Sequence, residues 1–131
     1  MLGVDTNVLV RFLVRDDEAQ FDKARKLIKR DVAAGRRIFV SQLVLLETEW
    51  VLRSSYGLPK NQIVDTLSRL LDTTDVRFEE EPVIEEALFI WRDVAADFAD
   101  CLIGTQNRRL GCRATATFDV KASRLPEFVA A

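Results

Sequence analysis

The chain contains no histidine. That absence excludes Ser-His-Asp and Cys-His catalytic pairs and any His-ligated zinc site. There are only two cysteines, Cys101 and Cys112, without paired-cysteine spacing. A disulfide scaffold is thereby excluded, and a reducing, cytoplasmic setting is expected. Glycine and proline are sparse, at five and three residues, so low-complexity and collagen-like chains are excluded. No apolar run approaches the roughly 20 residues that span a bilayer. The opening MLGVDTN has neither the basic nor the apolar region of a secretory signal, and no membrane partner is expected. An excess of one charge is missing too: the net charge is −2, which does not advertise a broad basic nucleic-acid patch. Acid–base or metal chemistry in this chain must run on carboxylates.

With 131 residues, 48% hydrophobic and 31% charged, the composition is that of one soluble globular domain over residues 1–131. Residues 61–100 are strongly acidic, and both flanks carry a small basic excess. This leaves room for basic surface around an acidic centre, or simply for solvated helix faces. Short apolar runs at 1–4, 38–40, 76–78, 114–117 and 127–129 read as strands. Helical patterns lie between them. The first covers 8–14. The second runs from Asp16 or Asp17 to Ala34, with Phe21, Ala24, Leu27, Ile28 and Val32 on one face and Gly35 closing it. A third follows Ser41 through 42–55, and a fourth starts at Asn61 with Ile63, Val64, Leu67, Leu70 and Leu71 inward. Acidic residues 79–81 suit the start of a fifth at Pro82, whose apolar face is Val83, Ala87, Trp91, Val94 and Ala95. The last runs from about Asp97 to Leu110, closed by Gly111, and 121–125 reads as a short helical turn. Strands alternating with such helices imply an α/β fold, a parallel sheet with helices on both faces. In these folds sites lie at the carboxyl ends of strands. Trp50, Trp91 and the eight phenylalanines are assigned to the core, among them Phe39, Phe89 and Phe98.

Five carboxylates stand out. Asp5 directly follows the first apolar run; it reads equally as an N-cap and as an acid at a strand's carboxyl end. Glu47 has Leu43, Val44, Trp50 and Val51 at helical spacing, which predicts a carboxylate in a buried stripe. Glu49 instead precedes Arg53 by four residues, as in an ordinary surface pair. Asp97 and Asp100 read either as a cap with its third-position acid or as two acids facing a crevice, with Gly104 allowing close approach on the same face. Asp119 ends the ATATFD run; it is a turn residue or a second strand-end acid. If these acids converge, each like-charged pair at about 4 Å costs roughly 4 kcal/mol at an effective dielectric near 20. Such a pocket calls for a hard divalent cation, Mg²⁺ or Mn²⁺ rather than zinc, and suits phosphodiester hydrolysis.

Four segments carry a family resemblance: VDTNVLVRFLVRDD at 4–17, SQLVLLETEWVLRSSYGL at 41–58, DFADCLIG at 97–104 and ATFDVKASRL at 116–125. In order and spacing they resemble the PIN-domain toxins of VapC type, over essentially the whole chain. The resemblance implies a PIN-like three-layer α/β/α sandwich with a central parallel sheet. It implies catalytic acids at Asp5, Glu47, Asp100 and Asp119. Asp5, Asp100 and Asp119 would hold Mg²⁺, for which Mn²⁺ can substitute, with Asp97 as a further ligand or supporting group. Thr6, Asn7 and Thr117 are the implied supporting residues. The implied activity is endoribonuclease cleavage of RNA, leaving a 3′-hydroxyl and a 5′-phosphate. The implied partners are a VapB-type antitoxin lying in the active-site groove and a second copy in a homodimer. Arg11 and Arg15, with Arg108 and Arg109, are candidate phosphate contacts, each equally readable as solvated charge.

Other readings stay open at this point. A haloacid-dehalogenase-like phosphatase also begins with a strand-end Asp, but needs a second Asp two residues on, where Asn7 stands. A housekeeping RNA-processing nuclease would use the same domain. A non-catalytic module could dock a basic peptide on the acids. The helices at 42–55 or 61–71 are the expected location of a dimer surface.

Overall fold

The computed structural model describes residues 1–131. They form two compact units, Met1–Glu79 and Glu80–Ala131. In the first, β1 (Leu2–Gly3), α1 (Thr6–Leu13), α2 (Glu18–Ala33), β2 (Ile38–Val40), α3 (Gln42–Ser54), α4 (Lys60–Leu71) and β3 (Val76–Phe78) follow in sequence. The strands make a parallel sheet in the order β1-β2-β3, with Ile38 paired to Leu2 on one side and Val76 on the other. Parallel neighbours need crossovers, and the helix pairs α1–α2 and α3–α4 supply them. Ile38 and Val40 share a face of the central strand and are 2% and 0% exposed. The α/β class expected from the sequence is the class found.

Helix starts follow local chemistry. Side-chain oxygens of Asp5, Asp17 and Ser41 accept the amides of Val8, Gln20 and Val44 at 3.0, 3.0 and 3.2 Å, so α1, α2 and α3 are each capped. Gly35 takes φ +81° just past α2, a conformation that strains any residue with a Cβ. The expected inward face of α2 is only partly covered: Ala24 is buried, but Phe21, Leu27, Ile28 and Val32 are half-buried. Ile28 and Val32 line an apolar cleft of about 600 Å³ instead of a closed core. In α4, Ile63, Val64, Leu67 and Leu70 are buried as their spacing predicts. Glu79 departs from expectation: its Oε1 accepts the Gln42 amide at 2.9 Å, serving the first turn of α3.

The second unit contains α5 (Glu81–Trp91), α6 (Phe98–Arg109), β4 (Thr115–Thr117), a 3₁₀ turn (Ala122–Arg124) and β5 (Phe128–Ala130). β4 and β5 pair in parallel. α5 stops at Trp91, short of the predicted face residues Val94 and Ala95. There the backbone tightens into three-residue turns, Asp93 N–H to Ile90 and Val94 N–H to Trp91. Trp91 packs on Phe98 with ring centroids 5.2 Å apart. Trp91 and Phe98 are core residues as assigned, and Phe39 is half-buried. The core assignment fails for Trp50, Phe89 and Phe118, which are 55%, 68% and 91% exposed. On α5 Phe89 lies three and four residues after Glu86 and Glu85, on the acidic face opposite Val83, Ala87 and Trp91, so its spacing already points it outward.

Candidate active site

In the first unit the sheet presents Asp5 two residues beyond β1, at the N-cap of α1. The cap uses Oδ1, which accepts the Val8 amide. Strand-end acid and helix cap, the two sequence readings, are the same carboxylate. Asp5, Thr6, Asn7, Leu43, Val44, Glu47 and Val51 line one open depression of about 550 Å³. Two of the expected acids, Asp5 and Glu47, thus share a surface with the expected supporting residues Thr6 and Asn7.

Glu47 reaches this depression for a reason opposite to the one inferred. It is exposed, not buried. The buried face of α3 is Leu45, Thr48, Glu49 and Leu52, whereas Leu43 and Trp50, beside Glu47, are 78% and 55% exposed. Glu49 is the buried acid, at 1% exposure. It pairs with Arg53 as the spacing predicts, Oε2 to Nε at 2.8 Å, but the carboxylate lies inside the unit rather than on its surface. α3 carries two apolar stripes, and periodicity does not tell which one packs.

In the second unit Asp97 occupies the N-cap of α6, yet its side chain makes no capping hydrogen bond. The capping reading of Asp97 is right about position and wrong about the bond. Asp100, in the first turn, is half-buried. Burial pushes its carboxyl above the usual aspartate range, and the charges of Asp119 and Asp97 push the same way. Asp97 and Asp119 thus lie near enough to Asp100 for their charges to bear on it. Asp119 lies in the turn after β4: its amide donates to Thr117 Oγ1 at 3.0 Å and its Oδ1 accepts the Ala122 amide at 2.8 Å. Thr117 thus holds the Asp119 backbone in place. Gly104 does not open the helix face to a ligand; a Cβ there would overlap the Phe128 ring, which fills that space.

The four arginines read as candidate phosphate contacts all have protein partners. Arg11 binds Asp16, Gln20 and Tyr56 at 2.8, 2.6 and 2.9 Å. Arg15 pairs with Glu18 at 3.3 Å and lies over the Phe21 ring at 4.3 Å. Arg108 and Arg109 both meet Glu86.

The donor set fits a hard divalent cation: every candidate ligand is a carboxylate oxygen, and the like charges around Asp100 are the kind a cation offsets. No group of three or more His, Cys, Asp or Glu side chains forms a ready metal cage. The apolar cleft of about 600 Å³ includes Val4, Ile38, Val40 and Leu70 but none of the five acids, so hydrolytic chemistry does not belong there. Phe118, beside Asp119, is read as core from the sequence but is 91% exposed. It lies one position past β4, where alternation no longer dictates burial, and its only sequence signal is its acidic neighbour.

The PIN domain family model matches residues 3–127, and the chain belongs to that family. A VapC ribonuclease of Aquifex aeolicus (strain VF5) is 23% identical over 122 residues, covering 93% of this chain and 90% of that protein. The crystal structure of Mycobacterium tuberculosis VapC20, a sarcin–ricin loop cleaving toxin, aligns at 22% identity over 94% of this chain and 93% of that one, with a TM-score of 0.44. No helix is long and apolar enough to cross a membrane.

Proposed function

We propose that this chain is a metal-dependent endoribonuclease, the toxin of a type II toxin–antitoxin pair acting in the cytoplasm. Family membership supports the reading, and one observation carries it: acids expected from the sequence occupy shared surroundings, Asp5 with Glu47 and Asp100 with Asp119 and Asp97. Asp5, Asp100 and Asp119, assisted by Asp97, would hold Mg²⁺ or Mn²⁺, which when bound polarises water and offsets phosphate charge. Asp5 keeps its ligand geometry through its cap on α1. Thr117 and the Ala122 amide do the same for Asp119. Glu47, exposed at the depression, accepts a hydrogen bond from the attacking water and takes its proton. Water oxygen bonds to phosphorus, the bond to the 3′ oxygen breaks, and that oxygen takes a proton from solvent water to leave as a hydroxyl, with phosphate on the 5′ side.

The inhibitor in this reading is a VapB-type antitoxin that sets an Arg or Lys among the acids. The chain itself forms a homodimer through α3, where Leu43 and Trp50 are exposed; the apolar residues of α4 are already used inside the unit.

The test is incubation of partner-free protein with total cellular RNA, with Mg²⁺ or Mn²⁺, with EDTA, and as Asp5→Asn. Discrete fragments that need the metal and vanish in the variant are expected. Well-folded protein that cleaves none of these RNAs with either metal would overturn the reading in favour of a docking module. Growth arrest on expression without a partner separates a toxin from a housekeeping nuclease.

A further inference from the structure

Phe118 is 91% exposed, more than any other large apolar side chain of the protein. Its neighbour across Asp119, Val120, is 67% exposed. Single exposed apolar residues are common and need no explanation; the setting is what distinguishes this one. The loop that presents the ring is held. Asp119 N–H donates to Thr117 Oγ1 at 3.0 Å, Ala122 N–H to Asp119 Oδ1 at 2.8 Å, and Ser123 Oγ to the Val120 carbonyl at 2.6 Å. Ser123 N–H donates to the Asp119 carbonyl at 3.0 Å, and Ala131 N–H to the Thr117 carbonyl at 2.8 Å. A ring kept in water by an ordered loop adds almost nothing to folding, because it removes almost no apolar surface from water. Lys121, on the same loop, is exposed. Unlike Arg11, Arg15, Arg108 and Arg109, it has no ion-pair partner. An aromatic ring, an acid and an uncommitted cation therefore follow one another on one short turn.

We propose that Phe118 is a positioning residue for RNA: its ring stacks on an unpaired base next to the phosphate brought to Asp119, with Lys121 contacting the backbone. The proposal rests on the ribonuclease reading and assigns to Phe118 the contact with one unpaired base beside the cut. Protein aromatics recognise unpaired bases, since bases within a duplex already stack on each other.

The experiment uses the full chain and a labelled single-stranded oligoribonucleotide containing a mapped cleavage site. Phe118→Ala and Phe118→Leu are compared with Phe118→Trp. Loss of one stack predicts a fall in kcat/KM of about 5- to 150-fold, chiefly through KM, with unchanged melting temperature. Phe118→Trp retains activity and Phe118→Leu does not. Binding to the same oligomer in EDTA, followed by anisotropy, weakens in parallel. Equal kcat/KM and equal binding in wild type and Phe118→Ala overturn the proposal. So does full rescue by leucine, which would indicate a plain apolar contact, and so does loss of dimer with RNA handling intact. Wild type that binds RNA through Phe118 but never cleaves it overturns the ribonuclease reading and leaves the stacking role standing. Wild type that neither binds nor cleaves overturns both.

Discussion

At Asp5 a helix cap and a proposed metal ligand are the same carboxylate, and the two duties have different chemical requirements. The cap needs only an oxygen acceptor for the Val8 amide. A cation needs negative charge. Asn caps as well as Asp, whereas Ala costs about 1 kcal/mol at such a position. Asp5→Asn is therefore expected to unfold in urea at the wild-type midpoint, and Asp5→Ala about 1 kcal/mol earlier, while both lose RNA cleavage. A stability loss in Asp5→Asn equal to that of Asp5→Ala would show that charge, not the cap, holds this end of α1. Residues of this kind were legible in the sequence because their chemistry is local: an apolar run, then an acid, then a helix. Glu47 and Glu49 were not. Their burial is exchanged relative to expectation, because it depends on which stripe of α3 meets the rest of the unit, and that is a tertiary choice. Arg53, four residues from Glu49, was the clue, since a buried carboxylate needs a cation beside it.

Elements are tied by contacts that no motif announces. Asp16 and Arg11, on either side of the turn between α1 and α2, both bond Tyr56 Oη, just past the end of α3, at 2.8 and 2.9 Å. The Tyr56 hydroxyl and then the Arg11 guanidinium hold the Asp16 carboxyl below its usual range. Burial, with the Asp16 hydrogen bond behind it, pushes the Tyr56 phenol up. The signs follow. A depressed carboxyl stabilises the fold above its unfolded value of about 3.9 and loses that contribution as pH falls through the lower folded value. A raised phenol stabilises the fold below about 10 and loses its contribution as pH rises through the higher folded value. The difference in melting temperature between wild type and Tyr56→Phe is thus expected to be flat from about pH 5 to 9, shrinking below about 4 and above about 10. A difference that grows in acid would mean the network acts through something other than the ionised Asp16. The helices and strands themselves were readable from periodicity and caps to within a few residues. Pairings across forty residues of chain were not, since nothing local at Asp16 specifies Tyr56.

At the scale of the whole molecule, the parallel pairing of β1, β2 and β3 follows from short strands separated by helix pairs and was legible for that reason. Their order was not, nor was the separate pairing of β4 with β5. The division at Glu79 and Glu80 was not. No run of glycine, proline or serine marks it, and the left-handed Glu80, φ +50°, has no sequence signature. Surface composition reaches further than these boundaries do. Leu43 and Trp50 lie seven residues apart on α3, two turns of one face, and are 78% and 55% exposed. Leu43 lines the Asp5–Glu47 depression and Trp50 does not, so a copy centred on Trp50 would border the depression and leave Glu47 open to it. Tryptophan at the centre of an interface commonly contributes 2 kcal/mol or more, so Trp50→Arg is expected to weaken the proposed homodimer by roughly 30-fold or more. Sedimentation velocity across a concentration series should show a dimer in wild type and a monomer in the variant at the same concentration. A matched circular dichroism spectrum would confirm an intact fold. Trp50→Arg that remains dimeric would move the interface off α3 to the other exposed apolar side chains, of which Phe89 on α5, at 68% exposure, is the next to substitute.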